Sequence, residues 1–351
     1  MELLVLDTNF ESVCIIDSFN SMIWVDRYSG YGDFELEMSV NVDNLERLKE
    51  DNYLWLRESD HVMIIESIEI DTNVEDGNRL IVKGRSLESI LYRRIIWGQK
   101  TITGNLQNGI KTLLNEAFIS PTDPDRKIDN LTFEESTDPA ITKLTIDKQY
   151  TGEYIYDAIK TICDENNIGF KIVLNDSNQF VFSLYSGVDR SYDQLANSYV
   201  IFSPKFENII NSNYYHDKSN FKNVTFVAGE GEGASRKTTS VGSSSGMDRR
   251  EVFTDARDIS SDTEEGTLTE KEYIAKLASR GSETLSEHIV NTAFEGKVEA
   301  TNLFKYGEDF HIGDIVQIAN EHGHEGRAYI SEFIMSQNAE EISMYPTFQT
   351  I

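Results

Sequence analysis

The chain has 351 residues, 39% of them hydrophobic, enough for two or three domains with cores of their own. Its 60 acidic against 32 basic residues give a formal net charge of −28, with no long basic cluster, which excludes a surface built on neutralising nucleic-acid phosphates. Two cysteines exclude a disulfide framework, and no apolar run nears the roughly 18 residues of a membrane span.

The first residues, MELLVLDTNF, carry no positive leader, so cytoplasmic synthesis is expected. DFELEMSV, Asp33 to Val40, alternates Phe34, Leu36, Met38 and Val40 with Glu35, Glu37 and Ser39, the pattern of a half-buried strand. MIWVDRY before it and HVMIIESIEI after it are also β-rich, and Glu75-Asp76-Gly77-Asn78 supplies a hairpin turn into RLIVKGRS. Ser86 is the expected N-cap of a helix through LESILYRRII. A second helix is expected over Leu106 to Phe118, stopped by Ser120-Pro121, and a third over Glu153 to Glu165 with Ile155, Ala158, Ile159, Ile162 and Cys163 inward. IGFKIVL and QFVFSLY flank Asn175-Asp176-Ser177-Asn178, a polar turn.

Strands return after Asn197 in SYVIFSP and NVTFVAG, and TTSVGSSSG reads as a flexible loop. A long amphipathic helix is expected over Thr269 to Asn291, with Thr269 and Glu272 at capping-box spacing. GDIVQIAN, RAYISEFIMS and MYPTFQTI close the chain as strands. The fold class is therefore α+β and mainly antiparallel β. It comprises a barrel-like domain over 1–86 completed by 197–228, an inserted α/β domain over 87–196, and a second barrel-like domain over 229–351 carrying the 269–291 helix.

Three stretches tempt a chemical reading. In FVAGEGEGASR, Gly229 and Gly231 fit a dinucleotide loop, but Ala234 takes the last position and RKTTSV offers no helix N-terminus. Glycines at alternate β positions mark a bulge or close backbone approach instead, with Glu230 and Glu232 on one face. Asp123, Asp125, Asp129 and Glu134 match calcium-loop positions, but Lys127 stands where an oxygen ligand belongs and Ile128 replaces the turn glycine. His322-Gly323-His324, with Glu325 as a weak third ligand, fits a turn between strands better than a metal site. Cys14 and Cys163 read as small core hydrophobes. No catalytic residue, cofactor or metal is expected.

Five separated stretches, YSGYGDFEL (Tyr28 to Leu36), KGRSLESIL (Lys83 to Leu91), NVTFVAGEGEGASR, DRREVFTDARD (Asp248 to Asp258) and YGEDFHIGDIV (Tyr306 to Val316), together resemble the tail-hub, tail-associated proteins of long-tailed bacteriophages and prophages. The resemblance spans nearly the whole chain. It implies a virion tail protein of the baseplate or tail tip, with two barrel-like hub domains per copy. It implies a homotrimer stacked under the ring of distal tail protein, adapting sixfold to threefold symmetry around a channel for DNA, with other tail-tip or receptor-binding proteins as neighbours. Because the sequence stops at Ile351, an appended lysin is not expected.

The motifs supply the interface candidates Gly30, Gly32, Asp33, Phe34, Gly229, Gly231, Gly233, Arg236, Arg249, Arg250, Asp309, Gly313 and Asp314. The glycines would permit close packing of subunits or barrels, and the arginines would pair carboxylates across an interface or within a domain. An acidic wall would keep passing DNA from sticking. A peptidoglycan hydrolase and a carbohydrate-binding module, the latter suggested by abundant Tyr and Phe, are the competing readings.

Overall fold

The structure is a computed structural model, and it describes residues 1–73, 77–263, 266–297, 303–322 and 325–351. Its centre is a 13-stranded sheet whose main path runs from Ile210–Asp217 through Asn291–Lys297, Ile342–Thr350 and Glu325–Asn338 to Ser21–Arg27. The path continues through Asp33–Ser39, Gly77–Ser86, Val62–Asn73, Tyr53–Leu56 and Leu3–Leu6 to Ser12–Ile16. Strands from the two ends of the chain are thus direct neighbours: Ser21–Arg27 pairs antiparallel with Glu325–Asn338. Alternation explains the register. Phe34, Leu36 and Met38 point inward and join Trp24, Leu80, Val82, Ile330 and Phe348 in one apolar cluster.

The middle of the chain builds a second cluster. Its strands Gly169–Leu174, Phe180–Tyr185 and Leu131–Glu134 form a three-stranded sheet, and Gln99–Asn105 pairs with Thr145–Thr151. Helix Leu106–Leu114, capped by Asn105, continues as a π turn to Ile119, so the expected span is helical but not uniform. Helix Ile155–Glu165 buries Ile155, Ala158, Ile159, Ile162 and Cys163 as expected. The Asn175 side chain accepts from the Ser177 and Gln179 amides and closes the turn foreseen there. Cys163 is fully buried, whereas Cys14 is only partly so.

Three expectations change. LESILYRRII forms a single 3-10 segment, Leu87–Arg93, and Ser86 makes no cap bond, because its hydroxyl is engaged by Gly32 and Glu88 instead. The C-terminal helix spans Glu270–Ser286 with the Thr269–Glu272 capping box, and stops short of Asn291, which opens a strand. Val224–Ala228 leaves the main sheet and pairs with Thr238–Val241 and Glu251–Asp255, the latter in parallel. Glu75 and Asp76, and Gly323 and His324, lie outside the described residues; Gly77, at φ +81°, fits the turn expected there.

Candidate functional site

Two places gather the residues that the sequence singled out. The first surrounds Tyr28, where three separated segments meet. The Tyr28 amide donates to the Ser331 carbonyl (3.0 Å), and its hydroxyl donates to the Asn167 carbonyl (3.1 Å). The same hydroxyl accepts from the Gly187 amide (3.2 Å), while the Tyr185 hydroxyl donates to the Tyr28 carbonyl (3.2 Å). Burial pushes the Tyr28 hydroxyl up to about 12, so it stays protonated and can donate. Its ring lies against two backbones that have no room for a side chain. A β-carbon on Gly313 would sit 2.2 Å from the ring and one on Gly169 2.5 Å from it; Gly313 also holds φ +89°.

The neighbouring candidates serve the same junction. The Gly32 amide donates to Ser86 Oγ (2.7 Å), Asp33 pairs with Arg27, and Phe34 is buried beside Trp24. Gly30 faces the Tyr156 hydroxyl. Asp314, 2% exposed, accepts from the Val188 amide (2.7 Å), Arg190 Nε (2.7 Å) and the His311 amide (3.1 Å). Asp309 accepts from the Lys305 amide (2.8 Å) in a surface turn. The junction opens onto a groove of about 1050 Å³ that Tyr28, Gly30 and Asp33 line together with Tyr31, Arg85, Tyr92, Tyr156, Tyr329 and Glu332. Arg85 holds Glu66 through two bonds (2.6 and 2.9 Å) and lies over the Tyr31 and Tyr92 rings.

Beneath this surface lies a charged cluster that the sequence reading missed. Trp24 Nε1 (2.9 Å) and Ser59 Oγ (2.7 Å) donate to Asp26, and the His61 amide donates to Ser59 Oγ (3.0 Å). His61 Nδ1 lies 3.1 Å from Glu88 Oε1, which also accepts the Ile172 amide (2.7 Å). Burial pulls the His61 imidazole down, but the Glu88 and Asp26 carboxylates outweigh it and lift it to about 9. Burial acts upward on Glu88 as well, yet His61, Ser86 and the Ile172 amide hold it below the usual carboxylate range. Asp26 is raised, chiefly by burial. The cluster is buried, and through the Ile172 amide it ties the main sheet to the middle of the chain. Glu88, set between Leu87 and Ile90-Leu91, was the sequence signal for it.

The second place is the glycine stretch. The Val224–Ala228 strand ends before the glycines, so Glu230 and Glu232 do not line one face of a strand; the segment is a turn. Gly229 lies under the helix, where a β-carbon would meet the Tyr273 hydroxyl at 2.4 Å. Gly231 and Gly233 hold φ +101° and +54°. Arg236 closes the turn by donating to the Gly229 (2.8 Å) and Ala228 (2.7 Å) carbonyls while pairing with Asp255. Arg249 reaches Glu251 (2.5 Å), and Arg250 donates to the Lys218 carbonyl (2.6 Å).

In the calcium-like loop, the Asp123 carboxylate caps the Asp125 amide (3.1 Å) and Lys127 pairs with Asp129 (2.8 Å). Among the described residues no group of three or more His, Cys, Asp and Glu could hold a metal ion, and no helix is long and apolar enough to cross a membrane.

The backbone arrangement is similar to a 43 kDa tail protein of prophage MuSo2 from Shewanella oneidensis. That likeness has a TM-score of 0.61 at 12% identity over 99% of this chain and 98% of that one. Prophage tail protein gp18 from Listeria monocytogenes EGD-e gives 0.56 at 12% identity, covering 99% and 94%. A tail protein from Neisseria meningitidis MC58 gives 0.57 at 12%, covering 99% and 95%. At such identities the likeness carries the fold. The family model of the Siphovirus ReqiPepy6 Gp37-like proteins matches residues 2–348. This chain belongs to that family of siphovirus tail proteins. No curated protein gave a match. Within this tail protein, four of the five motif stretches fall at the two places described, and the fifth, KGRSLESIL, supplies Ser86 and Glu88 to the ties between the first of them and the core.

Proposed function

We propose that this tail protein is a non-enzymatic hub of the tail tip or baseplate. Three copies form a ring with an open channel, seated under the distal tail protein and adapting its sixfold symmetry to threefold. The two halves of the main sheet would serve as the two barrel-like hub units, and DNA would pass through the bore. The exposed candidates Arg249, Arg250 and Asp309 would face neighbouring tail proteins.

One observation carries this reading: the main sheet is open. Among the described residues, Ser12–Ile16 pairs only with Leu3–Leu6, and Ile210–Asp217 pairs only with Asn291–Lys297. The first edge also exposes Val13 and Ile15, the latter by 60%. An open edge with outward apolar side chains is ordinarily blunted or covered, and a second chain is one such cover. Light scattering on the purified protein, alone and mixed with the distal tail protein, tests it. The expected mass is three times that of one chain, with annular particles in electron micrographs. A monomer that forms no annulus even beside its tail neighbours overturns it.

A further inference from the structure

Residues 218–290 leave the main sheet and return to it at one point. The strands Ile210–Asp217 and Asn291–Lys297 pair with Asp217 opposite Asn291, and the Lys222 amide donates to the His288 carbonyl (2.9 Å) just beyond. What hangs on this two-stranded stalk is a three-stranded sheet covered by helix Glu270–Ser286, with its own apolar cluster of Val227, Ala256, Ile259, Tyr273 and Leu277. That cluster is separate from the two larger ones.

Away from the stalk, the helix touches the body chiefly along Thr145–Thr151 and Ile155–Glu165, and the contact there is polar. Lys148, on the body, sits between Glu165 (2.7 Å) of the body and Glu283 of the helix. Arg280 flanks Glu283 (3.1 Å) and also holds Asp258 (2.9 Å). Lys276 faces Asp147 (3.6 Å), and Ser279 Oγ donates weakly to the Asp147 carbonyl (3.5 Å). Beside them, the Tyr150 hydroxyl and Gln149 Oε1 are buried without a protein hydrogen-bond partner. Such a contact gains little from apolar burial and leaves two polar atoms that water would satisfy once it opened; salt screens its outer pairs at the exposed Asp147 and Asp258 more than the sheltered Lys148 pairs.

We propose that residues 218–290 are a stalked arm, held against the body by a latch of Lys148 between Glu165 and Glu283, and released by loss of Lys148 and, to a smaller extent, by rising ionic strength. Ser286 and Ile289 at the foot of the arm line the groove beside Tyr31 and Tyr156, so release widens that groove. The arm is a property of one copy and does not depend on the ring.

Thiol labelling tests the latch. In a Cys14→Ser, Cys163→Ala background, Gln149→Cys places the single thiol under the arm, and amide hydrogen exchange in the Ser21–Arg27 strand of the main sheet reports global unfolding. The labelling rate at position 149 is expected to rise about two- to threefold between roughly 0.05 M and 1 M salt, as the screening length shortens around the partly exposed charges of the contact. Adding Lys148→Gln should raise the low-salt rate about tenfold, whereas Lys83→Gln, which breaks the exposed pair with Glu35 on the main sheet, should leave it unchanged. Ser279→Cys, on the helix side of the contact, repeats the measurement should Gln149→Cys fail to fold. A rate indifferent to both salt and Lys148→Gln overturns the proposal, as does a rate that rises only in step with amide exchange in the Ser21–Arg27 strand.

Discussion

Around Trp24 and Phe348 the main sheet buries a continuous apolar cluster drawn from both ends of the chain, whereas the arm's own cluster gathers five buried apolar residues around one helix. The body can therefore house a cost that the arm could not: Asp26, His61 and Glu88 sit charged or polar in its interior, each with partners supplied by several strands. The arm keeps its charges at its surface and spends them on turn closure and on the latch. The contrast teaches that a large core tolerates buried ionic ties and uses them to join its parts. A small satellite has to be organised by capping, glycine turns and local packing.

The sharpest way to break this comparison is His61→Ala. It strands Glu88 and Asp26 in the interior without their positive partner, and should destabilise the body by about 3–5 kcal/mol in chemical denaturation. The difference from the parent should also depend on pH. His61 is raised from 6.5 to about 9 in the folded state, so its contribution is complete below about 6.5 and disappears as pH rises through about 9. A gap between parent and variant that is constant from pH 6 to roughly 10 would show that the imidazolium is not what the cluster uses.

Leu277→Ala should come next, at about 2–4 kcal/mol, but confined to the arm. Limited proteolysis should then cut within 218–290 while the body's melting transition stays in place; a single shared transition that moves down as a unit would mean that arm and body are one cooperative structure. The smallest expected effect is Thr269→Ala, about 1 kcal/mol, which removes the hydroxyl that accepts the Glu272 amide (3.4 Å). Its effect should appear as faster hydrogen exchange in the first turn of the helix, and no change in exchange around Tyr28.

Where residues interact with near neighbours in sequence, the reading along the chain came close. Alternation in DFELEMSV, the apolar stripe of Ile155–Glu165, the Asn175 turn and the Thr269–Glu272 box all rest on periods of two to four residues. Ser86 shows where that stops. Its local context is that of a helix cap, yet its hydroxyl is taken by the Gly32 amide and the Glu88 carboxylate, one of them 54 residues away. The glycine run misled in the same manner, since the Tyr273 hydroxyl and Arg236 turned an expected strand into a closed loop.

By itself the sequence determined the class of element at most positions, the excess of negative charge, and the ordered motifs that mark the tail-protein family, because these depend on composition and short-range periodicity. Only the tertiary structure decided that both ends of the chain share one sheet, that Tyr28 is gripped between Gly169 and Gly313, and that Asp26, His61 and Glu88 meet in the interior. Those pairings join residues tens to hundreds of positions apart, and their energy comes from desolvation and close packing that exist only once the strands have come together.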